Sequence, residues 1–392
     1  MPEISLTGAD RNRRAVALGV LALAAVLSVV NQAHMVALGG DNYRTADWLI
    51  NYAGGFVRRG LFGELLRVFG PGGQATLWVL FGFQLALYAP VFWFVVSYLS
   101  RQRWSWPALA LACGPLSLPF IGWDPGGGFR KEIIGFLALV VLASLRLRPH
   151  RTIAHWTLVG AAAFLWVLGV LSWEPTALML PAVLHLLLSS NDWLPPRPPH
   201  ARVLGLGFAL VSLAGLGASV LAPGSPEKAA AICASLVAGG NPTPDPCAGA
   251  VLVVGQSLSD GMANVASLWP MYAGYPVVMV IAMLPLLLSP WLARNWRWAL
   301  AAALATAPLY LVAIDYGRWG HILFVELMVC VMLCPAEAIA SALWNPVSTL
   351  LLVCFAGVPN AGPMNGGTRW PLEGLLGTVI TMVQFGVFLA GT

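Results

Sequence analysis

The chain has 392 residues, of which 58% are hydrophobic and only 9% charged, with a formal net charge of +5. A soluble domain carries roughly 25% charged residues, so this composition excludes a soluble enzyme and leaves no room for a large second domain. The basic residues stand mostly at the ends of apolar runs, where membrane orientation explains them. Nucleic acid is therefore not an implied partner.

Apolar runs long enough to cross a bilayer, about 20 residues each, predict an all-α polytopic transmembrane bundle of about twelve spans in a single membrane domain, 1–392. The spans fall at 15–37, 75–99, 106–123, 133–147, 152–173, 176–190, 203–222, 268–289, 299–314, 321–338, 347–359 and 375–391. The first is too long for a cleavable signal, and no clear small-residue cleavage site follows its start. Placing the N-terminus inside puts Arg11, Arg13, Arg14, Arg101, Arg103, Arg146, Arg148, Arg151, Arg197, Arg202, Arg294 and Arg297 on the inner face, as the positive-inside rule requires. Eleven of the sixteen acids then fall outside.

The first outer loop, 38–74, carries Asp41 and Asp47, then Arg58-Arg59, then an apolar pattern at helical spacing with Glu64 and Arg67 set into it. That pattern predicts an interfacial helix. Asp47 stands among Trp48, Tyr52 and Phe56 and before Gly54-Gly55. An outward carboxylate there serves either as a general base toward a hydroxyl or as a solvated loop acid. Arg58-Arg59 suits phosphate oxygens or anionic headgroups. The tight turn from Asp124 to Gly128 leads to Arg130-Lys131-Glu132 at the start of a span. Such charges neutralise a pyrophosphate or pair with neighbouring helices.

Glu174 ends an apolar run between Trp173 and Pro175 with no basic neighbour in sequence. Desolvation raises the pKa of such a carboxyl and suits it to acid or base work, unless a distant arginine pairs with it. Asp315 and Arg318, three apart, share a helix face. Trp319 beside them and Arg369 in the last outer loop complete the set. The second long outer segment, 223–267, reads as a loop, either a mobile lid or a partly helical cap; Cys233 and Cys247 bracket part of it and are disulfide candidates on the oxidising side. No Walker loop, HExxH, GxSxG or dinucleotide fingerprint occurs.

This layout, a first span followed by a long outer loop with an early Asp, an interfacial helix and further charged outer loops, resembles integral-membrane glycosyltransferases of the GT-C class. The run Asn51 to Gly63 (NYAGGFVRRGLFG), Asp124-Pro125 with Arg130-Lys131-Glu132, and Asp315 to Trp319 (DYGRW) look like those of bacterial membrane proteins associated with surface-polysaccharide assembly. The resemblance implies a polyprenyl-phosphate- or polyprenyl-pyrophosphate-linked sugar donor, a glycan or lipid-linked acceptor, and a site facing the outside of the cytoplasmic membrane. The catalytic carboxylate it implies falls on Asp47, with Asp41 second. The first outer loop has no paired Asp-x-Asp or Glu-x-Asp, which leaves the metal requirement open and admits a polymerase-like enzyme. No cofactor is predicted and no metal ligand set is assigned. The competing class is a flippase of lipid-linked glycan, which would carry charge at mid-membrane and on both faces; Glu326 is the only acid well inside a span. A scaffold in a biosynthetic complex is the third.

Overall fold

The computed structural model describes residues 8–148, 153–240, 247–272 and 274–357, together with 374, 375 and 379. Among these residues helix is the only regular secondary structure. Two helices are mostly apolar on all sides, with a few charged residues set into them, and a helix of that kind is buried. They are Glu132–Arg146 and Tyr316–Val331, and nearly all of their residues are buried. They pack against each other and run parallel. Arg318 meets Glu132 at their first turns, and His321 meets Phe136 one turn later, with ring centroids 5.2 Å apart.

Around this pair stand the helices with an apolar outer stripe. Gly8–Ala37, Gly73–Arg101, Ile153–Ser172 and Ala201–Leu221 are long and apolar enough to cross a membrane. Their outward residues include Val26, Trp93, Phe164 and Leu213, the surface that lipid would cover.

The span count therefore corrects the expectation. Four described helices qualify, or five if Tyr275–Leu287 and Pro290–Val312, bent by 119° at their break, form one span. The reason lies in breaks and in burial. The run 106–123 is cut at Gly114 into helices Trp106–Cys113 and Phe120–Trp123. The run 176–190 divides into a 3-10 turn, Glu174–Met179, and helix Leu180–Leu188. Helix Glu132–Arg146 has 15 residues, about 22 Å of rise, and is wrapped by protein rather than lipid. The run 375–391 lies almost wholly outside the described residues.

Within 38–74, helix Leu61–Phe69 buries Phe62 and Gly63 and exposes Leu65, Val68 and Phe69, so the apolar pattern there does form a helix. Gly63 abuts the Ile50 carbonyl so closely that no side chain fits. The segment 223–267, expected as a mobile lid or a partly helical cap, is largely helical among its described residues: Pro226–Ala238, Ala250–Val254 and the start of Leu258–Tyr272. It forms a cap seated on the first outer loop. Lys228 Nζ donates to the Phe56 carbonyl at 3.1 Å, Asn51 Nδ2 to Ser235 Oγ at 3.0 Å, and Arg58 Nη2 to the Val253 carbonyl at 3.3 Å. A disulfide joins Cys233 to Cys247, with Cα atoms 5.0 Å apart.

Candidate functional site

The local chemistry of the first outer loop decides which of its acids is available. Asp41 Oδ1 accepts from the backbone N–H groups of Tyr43 and Arg44 at 2.8 and 2.6 Å. It is a turn-forming residue of the kind aspartate favours, with Arg44 Nε 3.8 Å away. The turn delivers the short helix Ala46–Leu49, which carries Asp47 and Trp48 into the interior.

Asp47 is 1% exposed. Neither of its carboxylate oxygens accepts a hydrogen bond among the described residues. Four cations surround it: Lys131, Arg130, Arg59 and Arg318. Burial pushes the carboxyl up, but those cations together outweigh burial and hold it below the usual carboxylate range. The nearest ion-pair contact is Arg59 Nη1, at 4.0 Å. A buried carboxylate without a donor is uncommon and calls for a reason.

Other members of the cluster are satisfied. Arg59 Nε lies 3.2 and 3.1 Å from the two Glu174 oxygens, and Arg58 Nη1 is 3.8 Å from Glu174. Glu174 therefore pairs with distant arginines, and they are Arg59 and Arg58 rather than Arg130 or Arg318. Burial does push its carboxyl up, but Arg59 and Arg58 outweigh that effect and hold it below the usual range. Glu174 thus positions Arg59, whose backbone sits at φ 68°, a left-handed conformation that is uncommon outside glycine. Lys131 Nζ donates to the Arg59 carbonyl at 2.8 Å. Burial lowers the Lys131 ammonium to about 8 despite Asp47 nearby.

Arg318 and Glu132 form a bidentate pair at 2.8 and 2.7 Å, and Arg318 Nη1 reaches Asp315 at 3.3 Å. Trp173 and Trp319 flank that guanidinium, 5.0 and 5.2 Å from its central carbon. Arg130 is different. It is 5% exposed, its Nε has no hydrogen-bond partner, and no carboxylate lies within ion-pair distance of it among the described residues. Its one close neighbour of note is the Tyr43 ring, 5.4 Å away. Among the described residues, Ser172 Oγ, Trp173 Nε1, Thr176 Oγ1 and the Tyr316 hydroxyl are also buried without hydrogen-bond partners, all in the segments that frame the cluster.

Residues that sequence reasoning passed over hold Arg130 in place. The preceding residue, Phe129, has φ 55°. Its carbonyl accepts from Trp48 Nε1 at 2.8 Å and from Gln84 Nε2 at 2.8 Å, while its N–H donates to the Tyr88 hydroxyl at 3.1 Å. Gln84 also accepts from Gln32 at 3.2 Å. The available signal was two glutamines inside apolar spans, since polar residues at that depth need a purpose.

The fold thus brings together Asp47, Arg58, Arg59, Arg130, Lys131, Glu132, Glu174, Asp315, Arg318 and Trp319. Asp41 stands apart with Arg44, on which Asp124 also acts. Arg369 lies outside the described residues. The central helices Glu132–Arg146 and Tyr316–Val331 begin at the cluster without side-chain caps, so their free N–H groups and dipoles add positive potential. No group of three or more His, Cys, Asp or Glu side chains suited to a metal occurs among the described residues.

Residues 14–262, which include most of this cluster, match the family described as uncharacterised membrane protein Rv1490. The chain belongs to the Rv1490 family. The match ends before Asp315 and Arg318, so the arginine that pairs with Glu132 lies beyond the matched segment. No curated protein and no solved structure matches the chain.

Proposed function

We propose that this protein is a glycosyltransferase of the bacterial cytoplasmic membrane, similar in kind to the GT-C class, working at the outer face in surface-polysaccharide assembly. Its donor is a sugar linked to polyprenyl phosphate or pyrophosphate, and its acceptor a glycan or lipid-linked glycan. One observation carries the reading: Asp47 is a buried carboxyl, held below the usual carboxylate range, with no hydrogen bond among the described residues, and it is set among cations of which Arg130 has no carboxylate within ion-pair distance among them. Such a pair of unmet groups suits a ligand that brings both a hydroxyl and a phosphate.

In the reaction, Asp47 takes the proton of the acceptor hydroxyl as its oxygen forms a bond to the anomeric carbon. The bond from that carbon to the phosphate oxygen breaks, and the electron pair leaves with the lipid phosphate. Arg130 and Lys131 stabilise the charge that develops there, as fixed cations in a water-poor site do. A single displacement inverts the anomeric centre. Glu174 and Glu132 hold Arg59 and Arg318, and Trp319 offers a ring face to sugar.

The test is the surface-glycan profile of a deletion strain carrying wild type, Asp47→Asn, Arg130→Gln or Asp41→Asn at matched abundance. Loss or shortening of glycan with the first two, and not with Asp41→Asn, supports the transferase. An unchanged profile with Asp47→Asn and Arg130→Gln overturns it and favours transport. The transport reading has its own feature, Glu326, buried in helix Tyr316–Val331 with Thr306 Oγ1 at 3.4 Å.

A further inference from the structure

The cap reaches the charged cluster through one side chain. Arg58 Nη2 donates to the Val253 carbonyl of the cap at 3.3 Å, and Arg58 Nη1 is 3.8 Å from Glu174. Glu174 in turn accepts from Arg59 Nε, and Arg59 Nη1 stands 4.0 Å from Asp47. A chain of polar contacts therefore runs from the backbone of the cap to the Asp47 carboxylate. Arg59 is held at φ 68°, and a conformation of that kind persists only where its surroundings fix it. Lys131 donates to its carbonyl and Glu174 accepts from its guanidinium, while the Arg58 bridge fixes the residue before it.

The rest of the cap seats on main chain. The Ala250 N–H donates to the Asn42 carbonyl at 2.9 Å, and the Gly73 N–H to the Gly239 carbonyl at 3.0 Å. Gly54 lies so close to Lys228 that a Cβ there would stand 2.9 Å from the Lys228 Cα. The Cys233–Cys247 disulfide is the covalent tie between helix Pro226–Ala238 and the turn that leads into Ala250–Val254. Cys247 is exposed and Cys233 half-buried, so a reductant in solution can reach the bond, and exposed disulfides are the labile ones.

We propose that the cap is a redox-dependent latch on the charged cluster, and that Arg58 is the positioning residue that carries its state to Arg59 and Asp47. What the latch controls rests on the reading of the cluster as a transferase site; the coupling itself rests on the contacts alone. With a dithiol reductant the Cys233–Cys247 bond breaks, each sulfur takes up one electron and one proton, and the dithiol closes to its own disulfide. Helix Pro226–Ala238 then loses its tie to Ala250–Val254, Val253 leaves Arg58, and Arg59 loses one constraint on its left-handed backbone. The reverse exchange, with a disulfide as electron acceptor, seats the cap and completes the site only where disulfides form. The bridge needs a forked side chain. One Nη of Arg58 donates to a carbonyl while the other faces a carboxylate; lysine keeps the charge, but as a single point it cannot span both.

The test uses the purified full chain in lipid nanodiscs, oxidised or treated with dithiothreitol, as wild type, Arg58→Lys, Arg58→Met and Cys233→Ser. Three readouts are taken on the same samples: hydrogen exchange in helix Pro226–Ala238, the rate at which phenylglyoxal modifies Arg59, and sugar transfer from a lipid-linked donor. In wild type, reduction is expected to speed cap exchange and Arg59 modification by about tenfold each, as local opening does, and to lower transfer by about 10–10²-fold, the cost of a misplaced site. Cys233→Ser matches reduced wild type and does not respond to dithiothreitol. In both Arg58 variants Arg59 reacts fast before reduction, and reduction then changes the cap alone. If reduction of wild type speeds the cap and leaves Arg59 as it was, the latch falls. If Arg58→Lys behaves as wild type, the charge and not the bridge matters, and the positioning role falls. If oxidised wild type transfers no sugar, the transferase reading fails, and the Arg59 modification rates still decide the latch.

Discussion

Breaking the Arg318–Glu132 pair is the most direct physical test of the cluster. Both side chains are 2% exposed, and two charge-assisted hydrogen bonds of 2.8 and 2.7 Å join them. Each such bond contributes about 1.5–3 kcal/mol, and removing one partner of a buried pair costs about 3–5 kcal/mol because the other charge is left uncompensated. Arg318→Met and Glu132→Gln should each destabilise by about 3–5 kcal/mol. The double variant should recover a large part of that loss, because no buried charge is stranded. Reversible unfolding in mixed micelles measures all four corners of the cycle. The Glu64–Arg67 pair is an internal control: its contact is 2.6 Å, but the pair lies at the surface, where such pairs add little, so its cycle should resolve no coupling. Equal coupling in the two pairs would refute the argument that burial, rather than distance, sets the worth of the Arg318–Glu132 bond.

Four further outcomes are expected. Asp47→Asn should lower glycan transfer by about 10²–10⁴-fold, the range for losing a general base, whereas Asp41→Asn should keep most of it; sugar transfer from a lipid-linked donor by purified protein checks both. Lys131 is charged below about pH 8 and neutral above it, so phosphate binding should weaken as pH rises through about 8, and Lys131→Met should remove that limb in a titration of affinity against pH. Gln84→Leu leaves the Arg44 carbonyl without this donor and the Phe129 carbonyl with one donor instead of two; a loss of about 1–3 kcal/mol with weakened phosphate binding is expected, measured by unfolding and by the same titration. Replacing Cys233 by Ser opens a link between residues 14 apart, for which loop closure predicts about 3 kcal/mol; hydrogen exchange in helix Pro226–Ala238 should accelerate without a comparable change in the central helices.

The charged segments stood out in the sequence because they interrupt an otherwise apolar chain, and the fold brings them together. Which charge would meet which was not legible. Glu174 finds Arg59 across 115 residues, and no local pattern encodes that meeting. Nor was the difference between Asp41 and Asp47 legible: it depends on two backbone N–H groups that turn back onto Asp41. The span count failed for a related reason. A hydropathy run records that a segment avoids water, and Glu132–Arg146 and Tyr316–Val331 avoid it inside protein. The helices seated over 38–74 are short and rich in small residues, and their purchase comes from distant partners such as Asn51 and Phe56, which no local pattern encodes.

The Arg318–Glu132 bond also sets an order on how the chain is made. Its partners are 186 residues apart, and synthesis runs from the N-terminus at about 5–20 residues per second. Glu132 therefore enters the membrane roughly 10–40 s before its guanidinium exists, with an unmet carboxylate at the head of an otherwise apolar helix. During that interval the helix Glu132–Arg146 lacks the partner that makes its burial favourable. The charged cluster is thus a late closure: the last central helix to be synthesised is the one that locks the first, and a chain stalled before Tyr316 carries its defect in the same place that the finished protein carries its proposed chemistry.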